Sequence, residues 1–188
     1  MKLRNRVRLN GRNTHYLALS GMTLTLCLLS LMLFRGVFSL VQALIIPIVF
    51  VFLTTNQPWK YTGAASISML ILTFVFFSSQ IVFMIIYLMM ASFLMVLVSM
   101  IQRGSRKSYL LFIPYLIING TLLFVGLRMT DVVFQTQLHA MMLRLTDNNN
   151  FLYVAIMMME SAFISVFHLL IILYFKRRKD KLFNKNVV

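Results

Sequence analysis

From Ala64 to Ile101 the chain carries no charged side chain. As one helix, at 1.5 Å per residue, this stretch would run about 57 Å, close to twice the ~30 Å of a bilayer's hydrocarbon core. It therefore has to fold back once. Ser78-Ser79-Gln80 is the best site for the reversal, which predicts one span over 63–79 and another over 81–101.

The rest of the chain has the same character. Of its 188 residues 60% are hydrophobic and 12% are charged, whereas a soluble domain has about a quarter charged. Such a composition predicts an all-α, polytopic membrane protein built as a single transmembrane domain. Four further apolar runs cover 16–34, 37–53, 109–127 and 151–175, with a tight break at Arg35-Gly36. Six spans follow. Pro47 and Pro114 are expected to kink the second and fifth of them. No small-residue cleavage site follows the first run, so it is expected to stay as a span rather than be removed as a signal peptide.

The net charge is +14. On a soluble protein that balance would suggest nucleic acid. Here the basic residues stand at the ends of apolar runs, so topology and attraction to anionic lipids explain them and no nucleic acid is implied. Six spans with both termini cytoplasmic put fifteen Lys and Arg inside and three outside (Arg35, Arg128 and Arg144). Trp59, Tyr61, Tyr109 and Tyr174 then fall at the inner interface as aromatic anchors.

The longest outer segment is 128–150. Phe134, Leu138, Met141, Met142 and Leu145 recur in it at helical spacing. Thr130 or Asp131 is placed to cap a short amphipathic helix, and Asp147-Asn148-Asn149-Asn150 to stop it. That helix either packs on lipid or covers a pocket that opens outward.

The stretch AIMMMESAFISVFHLL in the last span holds a carboxylate and an imidazole. With Glu160 at zero on a 100° wheel, Tyr153, His168, Ser161 and Ser165 share one arc. A polar arc on a span faces protein or water, not lipid. Glu160 and His168 are about 12 Å apart along the axis, so they do not act together. His168 reads as a packed, hydrogen-bonded residue. Glu160 either fixes helix packing through Arg128 or a hydroxyl, or contacts a ligand, or couples to protons. Gln42, Gln80, Asn119 and Arg128 fall in the same outer half, and His139 lies on the amphipathic segment above it. These five and Glu160 form the candidate ligand-binding set.

Known chemistries are mostly excluded. Only four residues are acidic, and only Glu160 is in a span, which leaves no carboxylate set for a metal. Cys27 is the sole cysteine, so there is no disulfide or CxxC pair. No phosphate-binding loop occurs. No enzyme, cofactor or metal is expected.

Six spans, tiny first loops, cytoplasmic ends and a longer outer segment before the last helix resemble the S component of energy-coupling-factor (ECF) vitamin transporters. The resemblance implies capture of a vitamin-like micronutrient near the outer face of a bacterial cell membrane. It also implies partnership with a transmembrane coupling subunit and ATPase subunits. Small residues of the first and third spans, Ala18, Gly21, Ala64 and Ser68, would be the counterpart of that family's alanine-rich docking motif, Ala64-xxx-Ser68 being the nearest match. The MreD family of rod-shape proteins is similar in size and span count. It implies instead a non-catalytic scaffold in a cell-wall complex.

Overall fold

A computed structural model of the chain describes residues 2–34, 39–55, 57–102, 110–135, 137–146 and 149–184, with backbone only for 2–12, 39, 102, 138, 139, 142 and 176–184. Among them are seven α-helices and no strand: α1 (Lys2–Leu33), α2 (Ser39–Thr54), α3 (Trp59–Phe76), α4 (Ile81–Gln102), α5 (Phe112–Phe134), α6 (Leu138–Leu145) and α7 (Asn150–Asn184). Five are long and apolar enough to cross a membrane, over Asn13–Leu33, Trp59–Phe76, Ser78–Ile101, Phe112–Phe134 and Asn150–Phe175. This fits a multi-pass membrane protein. The second expected span is a shorter helix of 16 residues, about 24 Å long. The Arg35-Gly36 break and Tyr109 lie outside the described residues.

The reversal inside the long apolar run falls at Ser78–Gln80. Phe77 leaves the helical region at φ −140° and ψ 50°, and Ser78–Gln80 form one 3₁₀ turn before α4. Pro47 sits inside α2. Pro114 is three residues after the Leu111 cap of α5. Its missing N–H is one of those that a helix leaves unpaired at its start, so the expected kink has no cause there.

The chain divides into two compact units, Met1–Ala91 and Ser92–Val188. In the first, α1 packs on α2 and on α3. The buried stripe of α1 is Thr23, Cys27, Ser30 and Leu31. Gln42 Nε2 donates to Phe34 O at 3.0 Å, satisfying a carbonyl past the end of α1. At the other end Ser20 Oγ donates to Gln57 Oε1 at 3.1 Å, and Tyr61 OH to Asn13 Oδ1 at 2.9 Å. These cross-links make α1 and α2 antiparallel. The buried side chains of α3 are Ala65, Met69 and Thr73.

In the second unit α5 and α7 pack on each other, and α6 lies against both. Here the expected boundaries change. The fifth helix runs on through Arg128–Phe134, which the sequence assigns to the amphipathic segment. Thr130 and Asp131 do not cap α6, since the Thr130 hydroxyl donates back to Gly126 O at 2.8 Å within α5. The chain turns instead at Gln135 and Gln137, which take left-handed φ of 54° and 52°. Asn149 does more than stop α6. Its Oδ1 accepts from the amides of Phe151 (3.0 Å) and Leu152 (3.2 Å), which caps α7. Asp147 and Asn148 lie outside the described residues.

A left-handed L-residue costs about 1–2 kcal/mol. Gln135→Gly removes that strain but gives the unfolded chain more freedom. The expected net is a gain of up to about 1 kcal/mol in detergent-micelle unfolding. A loss would mean that the Gln135 side chain holds the turn.

Candidate functional site

Between lipid tails as apolar as leucine, helices are held by close packing and interhelical hydrogen bonds. The α5·α7 seam shows both. Tyr115 OH lies 2.6 Å from His168 Nδ1. Asn119 Nδ2 donates to Ser165 Oγ at 2.9 Å, and Ser161 Oγ donates to Leu116 O at 2.8 Å. Tyr115, Asn119, Ser161, Ser165 and His168 are all buried. Beside them Gly120 lets the backbones approach: a Cβ there would lie 3.3 Å from both Met158 Sδ and Ser161 Oγ.

Toward the α6 end the seam turns aromatic. The Phe124 and Tyr153 rings are 6.2 Å apart, and the Arg128 guanidinium stands over Phe124 at 5.6 Å, within the ~6 Å range of a cation–π contact. Tyr153 lies within electrostatic reach of Arg128, Asp131 and Glu160.

The buried face of α7 holds Tyr153, Met157, Ser161, Ile164, Ser165, His168 and Ile172, so the polar arc read from the wheel is the packed face. His168 is near its centre. Glu160 is about 80° from that centre at 100° per residue, half-buried at the edge. Among the described residues it has neither a hydrogen bond nor an ion pair. The contacts make α5 and α7 antiparallel, in a register that sets Glu160 level with about Gly120 and Arg128 level with about Leu152. Two turns, about 12 Å, separate those levels. The Arg128–Glu160 packing pair is therefore not formed.

The other expected site residues divide as follows. Asn119 is near the level of Glu160, but its amide is turned into the seam, where its buried Oδ1 makes no hydrogen bond among the described residues. The His139 side chain lies outside the described residues. Gln42 and Gln80 belong to the first unit. Gln42 is committed to Phe34 O and accepts from Tyr87 OH at 3.5 Å, while Gln80 Oε1 is buried without a hydrogen bond among the described residues. Of the expected docking residues, Ala18, Gly21 and Ala64 are exposed and Ser68 is half-buried. A Cβ on Gly21 would meet nothing within 4 Å, so packing among the described residues does not require that glycine.

The sequence reading missed Tyr115. Its signal was present: Tyr115 and Asn119 are one turn apart, as Ser161 and Ser165 are, so both helices carry matched polar stripes. Comparison of the chain with family models, curated proteins and solved structures gave no match.

Proposed function

We propose that the chain is the membrane-embedded substrate-binding subunit of an ECF-type importer. It would span the membrane six times, with α2 as the short span and both termini cytoplasmic. One observation carries the reading. Glu160 is a half-buried carboxylate inside a span, with neither a hydrogen bond nor an ion pair among the described residues, and an ionisable group in a span is a functional-site candidate by default. A partly desolvated acceptor at the edge of a rigid seam suits the polar group of a small ligand. α6, which packs on both α5 and α7, would close over the bound ligand. Coupling and ATPase subunits would supply the energy.

The test is gentle purification followed by mass spectrometry of co-purifying small molecules and subunits. Glu160→Gln should weaken ligand binding about tenfold or more, since a hydrogen bond to a charged group contributes about 1.5–3 kcal/mol. It should leave the melting temperature unchanged or raised, because no partner is lost. A lowered melting temperature with unaltered binding would make Glu160 structural.

The second reading, a scaffold of the MreD kind, has its own support. Most polar groups of the seam are satisfied within the chain, and Ala18 and Gly21 are exposed. Stoichiometric cell-wall proteins with neither ligand nor ATPase would favour it.

A further inference from the structure

Glu160 does not stand alone on its edge of α7. At 100° per residue, Ile156, Phe163 and Phe167 fall within about 60° of it, on the side away from the centre of the seam. Ile156 is 38% and Phe163 55% exposed, and Phe167 is half-buried. The two phenylalanine rings are stacked, with centroids 6.5 Å apart and planes at 23°. Side chains on a helix lean toward its N-terminus, so both rings lean toward the turn that carries Glu160. All four residues lie within Asn150–Phe175, a segment apolar enough to cross a membrane. Glu160 is ten residues, about 15 Å, from the start of that segment, near the middle of a hydrocarbon core of ~30 Å.

Charge decides what such a strip can recognise. A carboxylate in hydrocarbon needs a proton or a cation beside it. Arg128 is two turns away, and Glu160 has neither a hydrogen bond nor an ion pair among the described residues. Aromatic rings are negative over their faces, so they attract positive charge and repel negative charge. A carboxylate and two rings on one edge therefore select a cation. Ile156 and the exposed side of Phe163, inside a span, select an apolar body for that cation. We infer that the ligand of Glu160 is a membrane-partitioning organic cation, an amine or ammonium group on an apolar body, which reaches the strip of Glu160, Phe163 and Phe167 from the lipid side. The inference rests on Glu160 being a ligand contact and adds the chemical class of what it binds.

The full chain in phosphatidylcholine bilayer discs is titrated with dodecyltrimethylammonium, dodecanol and tetramethylammonium, and bound probe is measured against discs without protein. Dodecyltrimethylammonium should bind saturably. It should bind about tenfold or more tighter than dodecanol, which has the body without the charge, and than tetramethylammonium, which has the charge without the body. Glu160→Gln should weaken the cation about tenfold or more and leave dodecanol unchanged. Phe163→Leu keeps an apolar side chain at an exposed position and should weaken the cation about threefold, the size of an exposed cation–π contact, while Phe163→Tyr should bind like the wild type. Circular dichroism checks that each variant keeps its helix content. No saturable binding of the cation, equal affinity for either of the other probes, or undiminished binding in folded Glu160→Gln or Phe163→Leu would each overturn the inference. Mass spectrometry of the co-purifying ligand separates this inference from the reading it rests on. A water-soluble or anionic ligand lost from Glu160→Gln would overturn the organic cation and keep Glu160 as a ligand contact. A bound ligand indifferent to Glu160→Gln would overturn both.

Discussion

Replacing Gly120 by valine is expected to lower stability by about 2–3 kcal/mol, the upper part of the range for overpacking. Even a Cβ would lie 3.3 Å from Met158 Sδ and Ser161 Oγ and 3.4 Å from Ser161 Cβ. Met158 is 42% exposed and can swing away. Ser161 is fully buried and anchored to Leu116 O, so it has nowhere to go. Valine's methyl groups must therefore push α5 from α7. That displacement also stretches the Asn119–Ser165 and Tyr115–His168 bonds, which lie on the same faces. Alanine meets only the first clash and should cost about 1 kcal/mol or less. Thermal or denaturant unfolding in detergent micelles measures both. A valine variant that unfolds like the wild type would show that the helices do not touch at Gly120.

The second large effect belongs to Tyr115 and His168. Tyr115→Phe keeps the ring but deprives His168 Nδ1 of its 2.6 Å partner. Stranding a buried polar group costs about 1–3 kcal/mol, though interhelical hydrogen bonds in membrane proteins average nearer ~0.6 kcal/mol. The expected loss is about 1–2 kcal/mol. His168→Leu should cost a similar amount or less, since Asn119, one turn from Tyr115, has a buried Oδ1 that can accept from the phenol in place of the imidazole. Because the two groups face each other, the double variant should be little worse than the poorer single one. A coupling energy near 1 kcal/mol from the double-mutant cycle is the signature, and additive losses would show that the hydroxyl and imidazole do not interact.

These sites show where a one-dimensional reading stops. Apolar length predicts the helices, because a backbone in hydrocarbon has to satisfy its own hydrogen bonds. A polar break in an overlong apolar run predicts the reversal at Ser78–Gln80. Neither predicts that α5 continues past Arg128. Thr130 and Asp131 have the chemistry of caps, and only the bond from Thr130 to Gly126 O shows that the helix runs through them. The Met-rich and aromatic faces of the helices carry no label either. Phe163 and Ile164 are equally apolar in sequence, yet one is exposed and the other buried.

The candidate site divides in the same way. The arc of Tyr153, Ser161, Ser165 and His168 was legible because helical period is a local property, and polar groups in a span must turn from lipid. Pairing was not legible, because it depends on the register between two helices that are distant in sequence. That register brings Tyr115 to His168 and Asn119 to Ser165, sets Gly120 against Ser161, and places Arg128 two turns from the carboxylate for which it was one candidate partner. By itself the sequence determined a helical chain with several helices apolar and long enough to cross a membrane, and the inward face of its last helix. Only the tertiary structure decided that His168 is held at the centre of the seam while Glu160 stands at its edge, since which polar groups find partners depends on what the facing helix presents at each level.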